Sequence, residues 1–285
     1  MKKILCTLFV MAAVSAVMAE NENQEEGPWK FEGFISQQLN QVSFSNWAAG
    51  GENNFTTTSI FNLSGVYEKD RNSWENKLDL AYGFIRTGDT PARKSTDRIK
   101  FLSKYARKMT DKLSLAALAD FQSQFAKGYK YPDTEVVISK FLSPGFLTTS
   151  VGLEYKPVDY FSVYFSPAAG KFTFVTDPDL SAAGAFGVPA GEKVNPEFGA
   201  YASITFDKEV FENVKIASKL DLFNNFTDSD KDNRKRIDVN WLTGVNMKIN
   251  RFLSASLGLH LIYDHDISSD VQLHQMLGVG FSYSF

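Results

Sequence analysis

From Trp29 to Phe285 the chain alternates apolar and polar residues at every second position, run after run. Over 54–68, Phe55, Phe61, Leu63 and Tyr67 share one face, and Asn54, Thr56, Thr58, Asn62, Ser64 and Glu68 share the other. The same division holds over 74–86, 113–125, 237–250 and 252–264. A period of two is the signature of a strand with two unlike faces. Beyond the N-terminus, no segment approaches the roughly 18 consecutive apolar residues of a membrane-spanning helix. A chain like this can enter a membrane only as strands.

Weaker versions of the pattern occur at 29–45, 96–109, 145–157, 160–175, 196–209, 213–226 and 271–285, which makes twelve expected strands. In 29–45 the apolar parity slips, from Trp29, Phe31 and Ile35 to Val42 and Phe44, so a bulge is expected near Gln38 to Gln41. Pro144 and Pro167 predict further bulges or strand ends. The links KDRNS, TDK, KPVDY, KEVFEN and NRF are short. They alternate with longer ones such as SNWAAGGENN, the stretch around TGDTPARKST, AKGYKYPDTEVV and TDPDLSAAGAFGVPAGEKVNPE. Alternating link lengths predict an up-and-down antiparallel transmembrane β-barrel with one rim in the periplasm. An even strand number puts both ends on the short-turn, periplasmic side. A soluble β-sandwich would show the same alternation. It would not need aromatics at strand ends, alternating link lengths, or a last strand reading GVGFSYSF.

The first residues read as a secretory signal peptide, 1–19. Lys2 and Lys3 precede an apolar run from Ile4 to Met18, and Val17 and Ala19 give small residues before cleavage at Glu20. Residues 20–28, ENENQEEGP, are an acidic leader, and 29–285 is the expected barrel. The one cysteine, Cys6, lies inside the apolar run, so thiol chemistry and cysteine metal sites drop out. The formal charge of −3 gives no footing for nucleic acid. No cofactor is called for. The expected partners are outer-membrane lipid and, during biogenesis, periplasmic chaperones and the barrel-assembly machinery.

GVGFSYSF resembles the terminal signal of outer-membrane barrels read by that machinery, with Gly280 followed by aromatic Tyr283 and Phe285; the polar residue usual two positions before the glycine is Gly278 here. From NWAAGGENNF through WENKLDLAYGF, SPGFLTTSVGLEYKP, SPAAGKFTFV, SKLDLFNNF, IDVNWLTGVNMKIN and LIYDHD, the chain also resembles a domain-of-unknown-function family of Gram-negative outer-membrane proteins. The resemblance implies a barrel in the outer membrane. It supplies no activity and no site.

By parity, strand 96–109 points Arg98, Lys100, Lys104 and Lys108 into the lumen, beside Glu75, Lys77 and Asp79 of one neighbour and Asp120, Gln122 and Gln124 of the other. The opposite wall is small: Thr56, Thr58, Ser150, Gly152, Ser254, Ser256, Gly258, Gly280 and Ser282. A basic ladder in a narrow path would select anions or acidic sugars. The same ladder, neutralised by the adjacent acids, would only brace the wall. A tight link between the two strands would put Asp79 near Lys104 and Glu75 near Lys108. His260 and His274 share the inward parity and face each other if their turn centres near Ile267, with Asp264, His265, Asp266 and Asp270 at the tip. No fixed metal-binding spacing accompanies them. No outward serine has a histidine companion, so an outer-membrane lipase is not expected. NWAAGGENNF and GAFGVPAG lack the following helix of a phosphate cradle. NWAAGGENNF reads instead as a tight outer loop flanked by Trp47 and Phe55. Two functions fit: passage of small polar or anionic solutes, or a non-conducting barrel acting through its outer loops as scaffold, adhesin or envelope-complex partner.

Overall fold

The computed structural model describes residues 27–45, 48–228 and 230–285. The expected signal peptide with its expected cleavage between Ala19 and Glu20, most of the expected acidic leader, and Trp47 lie outside the described residues. The strands are β1 (Trp29–Val42), β2 (Asn54–Lys69), β3 (Asn72–Thr87), β4 (Arg93–Lys108), β5 (Leu113–Ser123), β6 (Gly128–Tyr129), β7 (Val137–Ser139), β8 (Gly145–Val158), β9 (Phe161–Phe174), β10 (Val194–Phe211), β11 (Val214–Asn225), β12 (Asp238–Lys248), β13 (Leu253–Tyr263) and β14 (Gln272–Ser284). Among the described residues, twelve of them close into one barrel in the order β1-β14-β13-β12-β11-β10-β9-β8-β5-β4-β3-β2. Every barrel pairing is antiparallel, between neighbours in this order. The remaining two, β6 and β7, make a small hairpin inside the long link between β5 and β8.

Short links at 70–71, 109–112, 159–160, 212–213 and 249–252 lie on one rim. The links 43–53, 88–92, 124–144, 175–193, 226–237 and 264–271 lie on the other. Link 88–92 is shorter than the sequence suggests, because β3 and β4 extend into it.

The barrel is inside out compared with a soluble protein. Leu277 is 73% exposed and Phe281 61%, while Lys171 and Asp120 are 8% and 7% exposed. Trp29, Phe31, Trp74, Phe101, Tyr105, Leu153, Phe165, Phe198 and Trp241 also stand outward and exposed. Water would oppose this arrangement, and lipid favours it. Near the short-turn rim the rings form a belt: Trp29 lies 5.6 Å from Phe31, 5.4 Å from Tyr67 and 5.7 Å from Trp74. Inside, Ala106, Ala116, Leu118, Tyr164, Ala169, Tyr201 and Phe223 pack together on one wall. The facing wall carries buried Ser36, Thr58 and Ser254.

The bulge at Pro167 is present. Val151 pairs with Ala168 but Leu153 with Phe165, and β10 shifts register at the same height. Phe165 and Phe172 can therefore both face outward although their parities differ. Pro144 ends a link, just before β8.

Two expectations fail. β1 has no bulge near Gln38 to Gln41; its register with β2 runs unbroken from Trp29↔Tyr67 to Val42↔Asn54. The parity slips for other reasons. Gln37 faces outward, bonded to Thr57 (2.5 Å) and Ser59 (2.6 Å) of β2, and Phe44 lies beyond the strand, its ring against Gly51. The β3–β4 register also differs from a tight link. Glu75 pairs with Lys104, and Asp79 with Lys100, because link 88–92 and a register shift at Gly83/Phe84 move the hairpin.

The closing seam is short. Phe34–Gln38 of β1 pair with Ser284–Gly280 of β14. One more residue pair extends it: Gly33 N–H donates to Phe285 O (2.7 Å), and Phe285 N–H donates to Gly33 O (3.0 Å). The Phe285 ring lies on Gly33, where a Cβ would overlap it.

Candidate functional site in the lumen

The lumenal side chains form three tiers. Nearest the short-turn rim, Lys104 lies between Glu75 (2.9 Å) and Glu154 (2.6 Å), and Lys77 pairs with Glu75 (2.5 Å). This tier is neutral overall.

The middle tier crosses the barrel. Lys219 of β11 bonds Asp120 of β5 (2.6 Å) and Asp221 of its own strand (3.0 Å). Tyr201 and Ser203 donate to Asp221 at 2.6 and 2.8 Å. Arg98 pairs with Asp79 (3.0 Å). Asn240 of β12 donates to Gln122 of β5 (3.4 Å) and bonds His260 Nε2 (2.8 Å). Strands β5 and β12 are five apart in the barrel order, so Gln122–Asn240 spans nearly the full lumen. His260 and His274 are register partners, as the parity suggested.

The outer tier surrounds one lysine. Lys171 Nζ bonds Asp238 and Asp264, each at 2.7 Å, lies 3.4 Å from Glu197, and sits 5.5 Å from the centre of the Phe223 ring. Three carboxylates against one ammonium leave this tier negative.

Between the middle and outer tiers lies a cavity of about 240 Å³. Asp120, Asp221, Asp238 and Asp264 line it, as do the aromatic residues Phe146, Phe186, Tyr201 and Phe223. Link 175–193 covers it. Its one-turn helix α1 (Pro178–Ala182) is capped by the Asp177 carboxylate, which accepts from Asp179 and Leu180 N–H, both at 3.0 Å. Asp177 also pairs with Lys140 of link 124–144, and Thr176 N–H donates to Leu142 O (3.0 Å). The Lys140 bond and the capping amides hold the Asp177 carboxyl below its ordinary range. Further along, Phe186 takes a left-handed backbone (φ 58°) and its ring lines the cavity. At Gly187 (φ 76°) the link meets Asp266 across the mouth: a Cβ there would lie 2.9 Å from the Asp266 Cβ. Burial and the Asp264 charge push the Asp266 carboxyl up.

Of the lumenal residues expected from parity, Glu75, Asp79, Arg98, Lys104 and Asp120 enter ion pairs. Among the described residues, Lys100 has no carboxylate within ion-pair distance, although it stands in register with Asp79 and Gln122. Lys108 is exposed at the short-turn rim. Parity reasoning missed Lys171, Lys219, Glu154 and Asp221; it put Asp238 on the polar face of strand 237–250 but gave it no part in the site. The clue to Lys171 was in SPAAGKFTF: Phe165 and Phe172 have opposite parity across Pro167, which flips Lys171 inward. Among the described residues no cluster of three or more His, Asp or Glu is arranged to hold a metal.

Residues 39–129 match the model of a family described as "Protein of unknown function (DUF3078)". No curated protein matches the chain. Solved structures similar to it include an outer-membrane channel from Pseudomonas putida F1 (12% identity, 93% of this chain and 98% of that one, TM-score 0.42). The translocator domain of the autotransporter NalP from Neisseria meningitidis is another (9% identity, 100% and 98%, TM-score 0.38). A third is the NanC porin (9% identity, 88% and 98%, TM-score 0.40). An even-stranded closed antiparallel barrel, with apolar side chains outward and charges inward, is the architecture of the outer membrane. The chain is an outer-membrane β-barrel, similar over residues 39–129 to that family of unknown function.

Proposed function

We propose that this barrel passes small polar solutes across the outer membrane, by way of a binding cavity rather than an open pore. The cavity between the middle and outer tiers carries the reading: it is walled by polar and aromatic side chains and covered by link 175–193. A solute entering under the link meets the Gln122–Asn240 bond and the Lys219–Asp120 pair, which must part to let it through. The long-loop rim then faces the outside and both chain ends face the periplasm. On β4, Arg98 and Lys104 are matched by Asp79, Glu75 and Glu154, and Lys108 lies at the short-turn rim, so Lys100 is the one rung left to favour anions. The surplus charge is the negative outer tier, which favours cations.

Planar-bilayer recording tests this. Brief, small, cation-selective steps are expected, and Gln122→Ala should lengthen them by loosening the crossing. No current from either form, together with no solute uptake into proteoliposomes, would sink the proposal. The second reading, a non-conducting barrel acting through its outer loops, would then stand. It is favoured by the bonds that knit link 124–144 to link 175–193.

A further inference from the structure

We propose that the outer lumenal cavity is a binding site for a small organic cation, an ammonium carried on a compact aromatic or apolar body. The proposal deepens the passage reading by naming the class of solute.

Charge comes first. Four aspartates reach the cavity wall, at positions 120, 221, 238 and 264, and Lys171 is the lysine that reaches it with them. Lys219 neutralises part of this set from behind, through Asp120 and Asp221. Asp238 is different. Its Oδ2 accepts from Lys171, while its Oδ1 accepts no hydrogen bond among the described residues. It is thus a carboxylate oxygen free to take one more N–H donor.

The second observation is the seat itself. The structure already places an ammonium among these groups: Lys171 Nζ, held by carboxylates and facing the Phe223 ring at 5.5 Å. Asp238 is the register partner of Phe223, so the two side chains share the lumenal face. A second ammonium at Asp238 Oδ1 would have the Phe223 ring beside it, the arrangement that recognises organic cations. The third observation is the wall away from the charges. Phe146, Phe186, Ile262 and Ile267 line it, and they suit an apolar body rather than a hydrated metal ion. Phe186 reaches that wall only through a left-handed backbone, which a non-glycine residue adopts at a cost.

The test uses the purified barrel in detergent and isothermal titration with three probes of one size: 2-phenylethylammonium, 2-phenylethanol and phenylacetate. The ammonium should bind, the alcohol at least tenfold more weakly, and the carboxylate not at all. Asp238→Asn, which keeps shape and loses charge, should weaken the ammonium at least tenfold. Lys171→Met should strengthen it severalfold, by removing the resident ammonium. Phe186→Ala should weaken it without altering the charge preference, and it remains informative if Lys171→Met does not fold. Equal binding of alcohol or carboxylate, or no effect of Asp238→Asn in a heat-modifiable barrel, would overturn the site. Proteoliposome uptake separates the two proposals. Ammonium binding without uptake keeps the site and sinks passage, whereas uptake indifferent to charge keeps passage and sinks the site.

Discussion

Lys219 shows what a single lumenal side chain holds together. Its ammonium joins Asp120, four strands away around the barrel, to Asp221, which also accepts from Tyr201 and Ser203. Removing one partner of a largely enclosed pair leaves charges without compensation, and that costs more than the pair contributed. Lys219→Met should therefore lower the unfolding free energy by about 2–3 kcal/mol, after a discount for lumenal water. The urea midpoint of the detergent-solubilised barrel reads this. Lys108→Met, at the exposed rim, should leave the midpoint unchanged. Sequence parity identified Asp120 and Lys104 as lumenal but could not name their partners. Asp120 meets Lys219 across 99 positions of sequence, and Lys104 meets Glu154 across 50, through the closed curvature of the wall. Alternation tells a residue which face it occupies. It carries no information about which distant strand faces it.

At the scale of elements, the sequence was most legible where one face is lipid and the other water. Strands such as β2, β3, β12 and β13 alternate over most of their length, and their positions follow directly. It was least legible in the long links, where no periodic burial writes a pattern. The five-residue helix α1 and the β6–β7 hairpin were not foreseen, and nothing in their composition is periodic. Link 175–193 owes its shape to particular bonds, chiefly those of Asp177. Since its carboxyl is held below the ordinary value, the bonds it makes stabilise the link fully above about pH 4, and that contribution is lost as pH falls through the lowered value. Hydrogen exchange, corrected for intrinsic rates, should show segment 178–191 protected at pH 6 and progressively less so as pH falls below about 4. Asp177→Asn should reduce protection at pH 6 and remove most of the difference. A pH response unchanged in that variant would show that other groups hold the link.

For the whole molecule, closure rests on a narrow contact. The last stripe, Val279, Phe281, Tyr283 and Phe285, faces outward, and Phe285 completes the ladder opposite Gly33. Gly33→Leu would drive a side chain into the Phe285 ring. It should reduce the heat-modifiable fraction on gels about as much as Phe285→Ala does. Equal assembly of both variants and the parent would mean that the ring on Gly33 is dispensable, and with it the proposed role of Gly280, Tyr283 and Phe285 as an assembly signal. Above Gln38 and Gly280, however, the two edges have no ladder between them among the described residues, and β14 continues to Gln272 with pairing there on the β13 side alone. Amides left bare there have no cross-strand acceptor to protect them. The wall thus behaves as a zip left partly undone at its long-link end, with the Gly33–Phe285 pair as the stop at the other. Amides of β14 that point towards β1 above Gly280 should exchange sooner than those of β13, which is laced on both sides. When the molecule is pulled, heated or challenged with denaturant, it will come apart along this line first, peeling from the long-link rim towards the short-turn rim.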